Sequence, residues 1–264
     1  MADLNRFRQL DQVTFETKKN YKQGMNVPVK VIASKQLLED MDEGAIDQAA
    51  NVAQLPGIVN NSLVMPDSHW GYGAPVGSVF ATDPSDGGII SPGAIGFDIN
   101  CGMRLIRTNL TLEEVKPKLD RLVDDLFATV PTGVGSSGAV RKLSKDEMKR
   151  VMTEGLQFCV SEGGGWKEDI KHAEDQGKIR GADPSAVSGK AIDRGCTQLG
   201  TLGSGNHYLE IQVLKKENIY DWDIAEQLEL FPNQVVIMIH TGSRGFGHQI
   251  CTDYLDLFES AMNR

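Results

Sequence analysis

Apolar positions along this chain fall into short runs of two kinds. Val27 to Ala33 alternates apolar with polar, which predicts a strand, because successive side chains point to opposite faces. Ile58 to Met65, Val76 to Thr82, Met103 to Asn109 and Ile211 to Leu214 read as further strands. Gln234 to Ile239 is a continuous apolar run, the pattern of a strand buried on both faces. Helical spacing appears in Ser34 to Leu55, as two short helices carrying Leu37, Leu38, Met41, Ile46, Ala49 and Val52. Thr111 and Glu114 match a capping box, with Leu112, Val115, Leu119, Leu122, Val123 and Leu126 as the apolar face behind it. Ser144 and Glu147 match a second box, opening a helix to about Val160, with Gly163 to Gly165 ending it. Asp183-Pro184 starts a helix that Gly195 ends, Asp221 to Leu230 is a short amphipathic helix, and another runs from TGSRG to the C-terminus. Residues 1–24 read as an irregular lead-in, and Gly133 to Gly138 as a flexible loop. Strands and helices mix without regular alternation, so the expected class is α+β, a mixed fold centred on a sheet.

Chemistry concentrates where this pattern is interrupted by glycine. In Gly93-Ala94-Ile95-Gly96-Phe97-Asp98-Ile99-Asn100-Cys101-Gly102, a carboxylate and a thiol stand three residues apart on a tight turn. Such a turn can aim an oxygen and a sulfur at one metal ion. An isolated DxxC is more often a capped turn beside a buried thiol, and the crowding of glycines tips this one toward ligation. His207 follows Gly203 and Gly205 in GSGNHYLE; on a strand His207 and Leu209 share one face, Tyr208 and Glu210 the other. His240 ends the apolar run, where ligand sites in sheet proteins gather. Thr241 to Gly245 then sets free N–H groups and Arg244 at a helix start, a place for phosphate. The plainer alternative there is Ser243 as a helix cap and Arg244 as a surface ion pair. His69, in an aromatic loop beside Asp67, could line the site but reads first as structural; His172 reads as part of a solvated helix face, His248 lies nearer the anion loop, and Arg104 and Arg107 are unassigned. Cysteine and histidine together favour zinc; the carboxylate leaves manganese or iron open.

The 264 residues carry a net charge of −9, so any nucleic acid must be met by metal or a local cationic patch rather than by the average surface. The four cysteines lack CxxC spacing, which excludes a zinc ribbon, and Cys159 and Cys251 read as buried helix residues. No apolar run approaches ~18 residues and the polar N-terminus is no secretory signal, so a cytoplasmic location is expected.

Four stretches, MPDSHWGYG, SPGAIGFDINCGMRL, LGSGNHYLE and HTGSRGFGHQ, in this order, resemble the RtcB-type RNA-splicing ligases, with the match running from about Val27 to the C-terminus. The resemblance implies one RtcB-like catalytic domain over residues 1–264. Its activity would join RNA 2′,3′-cyclic phosphate or 3′-phosphate ends to 5′-hydroxyl ends, in tRNA splicing and RNA repair, using GTP and two manganese ions. It implies Asp98, Cys101, His207 and His240 as metal ligands, with Cys101 bridging. Asn206, His207, Tyr208, Leu209 and Glu210 would be nucleotide-binding residues, and Arg244 a contact to RNA phosphate. An activating protein is a further partner it allows. The guanylylated histidine of the family lies in a C-terminal portion with no counterpart here, so the domain is expected to be incomplete and the chain inactive or partial by itself. Ser68-His69-Trp70 departs from the glycine and glutamine expected around that histidine. A metal-dependent phosphoester or amide hydrolase needs the same four ligands. A non-catalytic metal- and RNA-binding module is the third reading.

Overall fold

The first residues, expected to be irregular, pair as strands. In the computed structural model, which describes residues 3–18, 20–133 and 141–263, β1 (Phe7–Gln9) and β2 (Thr14–Thr17) form an antiparallel hairpin. Phe7 and Phe15 are buried on one side, while Arg8 and Glu16 pair across the strands at 2.7 Å on the other. The Asp11 carboxylate closes the turn by accepting from the Val13 and Thr14 N–H groups, and these bonds hold its pKa below the usual value. The strands are too short for alternation to stand out among their charges.

The hairpin opens the first of two compact units, Met1–Gly96 and Phe97–Arg264. In the first, β3 (Val29–Ile32) leads through α1 (Lys35–Asp40) and α2 (Glu43–Val52) to β4 (Ser62–His69) and β5 (Val76–Val79), giving a five-stranded sheet in order β1-β2-β3-β4-β5. Only β3 and β4 are parallel, a pairing that needs the crossover supplied by the two helices. The two short helices form, and Ser34 and Asp42 cap them by accepting from the Leu37 and Gly44 N–H groups. Val29, Val31, Leu38, Ile46, Ala49 and Val64 are completely buried together. β4 starts later than expected and continues through Pro66, where its register with β5 shifts; an irregular stretch tolerates the missing N–H. The loop after β4 is held by buried Gln48, which accepts from the Gly71 N–H at 2.9 Å and donates to its carbonyl at 2.7 Å.

In the second unit β6 (Gly102–Thr111) runs into α3 (Leu112–Val115), with the predicted Thr111/Glu114 box formed. Pro117 interrupts the predicted helix, which resumes as α4 (Leu119–Thr129). The Ser144/Glu147 box opens α5 (Lys145–Glu154), but the expected single helix is broken at Gly155 and continues as α6 (Leu156–Ser161). A side chain at 155 would meet the Gly177 carbonyl oxygen at 1.9 Å. α7 (Lys167–His172) follows. Asp183-Pro184 forms a 3-10 turn, and the helix α8 (Gly189–Gln198) starts from Ser188 instead. Gly195 does not end α8; it lies inside it, where Met148 packs too close for a Cβ. β7 (Tyr208–Leu214), α9 (Trp222–Gln227), β8 (Gln234–Thr241) and α10 (Arg244–Met262) complete the unit. All three strands are antiparallel, with β8 central in the order β6-β8-β7. The expected burial of β8 holds for Val235 and Val236 and relaxes beyond them. Cys251 is buried as expected; Cys159, on α6, is exposed instead. Residues 134–138 of the predicted flexible loop lie outside the described residues. The mixed α+β class read from the sequence is the one observed. Among the described residues no helix is long and apolar enough to cross a membrane.

Candidate metal centre

β8 sets the site because its neighbours pair in register around its last turn of sequence. His240 lies opposite Met103 on β6 and Tyr208 on β7. Just before β6, the Asp98–Cys101 turn closes with the Cys101 N–H donating to the Asp98 carbonyl at 2.9 Å, and Asn100 takes the left-handed conformation at φ 59°. Just before β7 stands His207. The two pairings therefore carry a thiol and two imidazoles to one end of the sheet.

Cys101 Sγ lies 3.4 Å from His207 Nε2 and 3.1 Å from His240 Nε2. Asp98 Oδ2 lies 2.8 Å from His207 Nε2. The two rings tilt against each other with centroids 5.4 Å apart, and Tyr208 meets the His240 ring edge-on, also at 5.4 Å. Asp98, Cys101 and His207 each offer a ligand atom, all within 4.8 Å of one another. His207 Nδ1 is 2.9 Å from the Leu202 carbonyl. A carbonyl only accepts, so Nδ1 is the donor of that contact, and Nε2 is the ring atom turned toward the sulfur and the carboxylate. Carboxylate oxygen, sulfur and imidazole nitrogen on converging backbones form a donor set that fits a divalent transition metal.

Gly203 is required for this arrangement: its φ is +122°, and a Cβ there would meet His207 Nδ1 at 2.0 Å. Gly242 is required for a similar reason, since its Cβ would meet Asp98 Oδ2 at 2.6 Å.

A cavity of about 230 Å³ opens beside the cluster, lined by Asp98, Asn206, His207, Arg244, Arg194 and His248 among others. Arg244 is no surface ion pair. It has φ 57°, and its guanidinium donates to Thr201 Oγ1 at 3.0 Å and to the Gly133 carbonyl at 3.2 Å, both neutral acceptors that leave its charge for the cavity. One of the N–H groups expected to be free at the start of α10, that of Gly245, donates to Gln198 Oε1 at 2.9 Å. Leu209 faces away, into a hollow under α4 that it lines with Val123, Phe127 and Ile211. The alternation expected from His207 onward begins only at Tyr208, so His207 is free to turn toward Cys101. Glu210 lies opposite Met238, two residues along the strand face from His240, and accepts from Gln212.

Arg194 and Gln198 were not legible as site residues, since they lie on α8 without a motif of their own; Ser243, read within TGSRG as a helix cap beside a phosphate site, turns its hydroxyl to Asp98 instead. His248 stacks on Phe97 at 4.9 Å, one helical turn beyond Arg244. His69 belongs to the first unit, with Nδ1 3.0 Å from the Asp67 carbonyl. Arg107 pairs with Glu229 well along β6.

The family model of tRNA-splicing ligase RtcB matches residues 48–264. The chain is similar to a tRNA-splicing ligase RtcB of Thermococcus kodakarensis, 50% identical over 262 residues, which are 99% of this chain and 53% of that protein. It is similar to one of Archaeoglobus fulgidus, 47% identical over 97% of this chain and 52% of that protein. An RNA-splicing ligase RtcB homolog 1 of Entamoeba dispar is 46% identical over 92% of this chain and 47% of its own length. The chain spans about half the length of the curated relatives it matches.

Proposed function

The chain belongs to the tRNA-splicing ligase RtcB family, and on that premise we propose that it supplies the metal- and nucleotide-binding portion of an RNA ligase. The ligase uses GTP and manganese to join 2′,3′-cyclic phosphate or 3′-phosphate RNA ends to 5′-hydroxyl ends, in the cytoplasm. Asp98, Cys101, His207 and His240 would hold the manganese through carboxylate, thiolate and imidazole donors. Bound there, the metal offsets negative charge on the phosphate oxygens of the reacting groups.

The chain's own residues do the positioning. Arg244 keeps its guanidinium for RNA phosphate, because its partners carry no charge. Asn206 borders the cavity next to His207, where it can donate to an oxygen of the nucleotide. Glu210 is exposed and suited to accept from the N–H groups of a guanine edge. The backbone from Asn206 to Glu210 lines the guanylate. An activating protein belongs to the same reading.

The observation that carries it is the thiol of Cys101 within 3.4 Å of two imidazole nitrogens that come from residues more than a hundred positions away. The test is a manganese titration of the chain followed by incubation with GTP and an RNA bearing a 2′,3′-cyclic phosphate. Saturable manganese binding that Cys101→Ala abolishes is expected; binding unchanged in that variant overturns the reading. Hydrolysis of a phosphoester with no nucleotide requirement would instead favour a hydrolase on the same ligands. Manganese and RNA binding without guanylate transfer would identify a module that does not turn over on its own.

A further inference from the structure

Ser243 is the residue at the start of α10, where a serine ordinarily turns its hydroxyl onto the helix's own free N–H groups. It does not do so here. Its backbone is helical, at φ −77° and ψ 0°, and its side chain makes no capping bond. The hydroxyl instead donates to Asp98 Oδ1 at 2.9 Å, across 145 positions of sequence. The other oxygen of that carboxylate, Oδ2, is the one 2.8 Å from His207.

Two glycines shape the chain around this bond. A Cβ at Gly247 would fall 1.9 Å from the Ser243 hydroxyl, and a Cβ at Gly242 would fall 2.6 Å from Asp98 Oδ2. Gly247 sits inside a helix, where glycine has no conformational advantage and costs helix stability relative to alanine. Its presence is explained by the space the hydroxyl takes.

We propose that Ser243 is a positioning residue for the metal centre, acting through Asp98. By holding Oδ1, it fixes the carboxylate plane and presents Oδ2 to the ion. This rests on the reading of Asp98, Cys101, His207 and His240 as metal ligands. Groups that orient a ligand in this way typically change metal affinity by about 10–100-fold when removed.

The test measures the dissociation constant for manganese ions alone, by calorimetric titration of the full chain, with amide hydrogen exchange of α10 followed in parallel. Ser243→Gly is the informative variant, since glycine serves nearly as well as serine at a helix start but has no hydroxyl. Roughly 10–100-fold weaker binding, with α10 still protected, is expected for it and for Ser243→Ala. Binding within about threefold of the unsubstituted chain overturns the proposal. If both variants lose protection throughout α10, Gly247→Ala decides. It keeps the serine but drives its hydroxyl off Asp98, so weakened binding supports the proposal and unchanged binding overturns it. Failure of the unsubstituted chain to bind manganese would defeat the ligand reading and this proposal with it. Equal binding by the unsubstituted chain and the serine variants would defeat this proposal alone.

Discussion

The two units spend their apolar residues differently. In the first, helices cover the sheet, and Val29, Val31, Leu38, Ile46 and Val64 have no solvent exposure. In the second, the buried cluster gathers among helices around Met148, Phe158 and Ile192, while the sheet keeps Leu105 at 53% and α4 keeps Phe127 at 88% exposure. Yet the second unit carries all four proposed ligands. The precision of its site comes from polar ties and glycine clearances at one end of a sheet, rather than from a sealed interior. Side-chain truncation should therefore unsettle the first unit far more than the sheet of the second.

The sharpest test of that contrast is Leu38→Ala. It removes a fully buried side chain and should cost about 2–5 kcal/mol, seen as faster amide exchange across β3 and β4. Next comes alkaline pH. Burial, reinforced by Asp47 and Glu43 against the opposing Arg6, pushes the Tyr21 phenol up from 10.0 to about 12. Its contribution to stability is intact below pH 10.0 and is lost as the pH rises from there toward 12. Tyr21→Phe should remove that part of the alkaline dependence in a denaturant titration. In the second unit the capping box of α5 is a smaller support, and Ser144→Ala should cost about 1 kcal/mol. Its partner Glu147 is held down to about 2 by Arg141 and by the Ser144 N–H and hydroxyl. The cap is therefore complete above the ordinary carboxylate value of 4.5 and lost as pH falls from there toward 2. Phe127→Ser should be the mildest, within about 0.5 kcal/mol by chemical denaturation, because the ring is already in water. A loss there as large as that of Leu38→Ala would break the comparison.

The elements with a capping box of their own were legible: Thr111 and Ser144 each announced a helix that forms. The β1–β2 hairpin was not, because strands of three and four residues give alternation too little length against Arg8 and Glu16. Glycine misled twice in opposite directions. At Gly155 a backbone crossing breaks a helix that the apolar period carries through, and at Gly195 the end of the Met148 side chain lies over a glycine inside the helix where a helix end was expected. The four proposed ligands could be named because glycines and an apolar strand framed them. Their supports could not. Ser243 reads as a cap until its bond to Asp98 is seen, and the Leu202 carbonyl that orients His207 has no side-chain signature. Arg194 and Gln198 reach the cavity only because α8 and α10 pack together.

The pairing of β8 between β6 and β7 has one more effect. Sliding β8 by a single residue against its neighbours would swing His240 to the opposite surface and bring Ile239 or Thr241 beside the thiol. Neither can replace an imidazole. On the proposed ligand reading, a misregistered sheet would forfeit its cation and the added stability that would come with binding it.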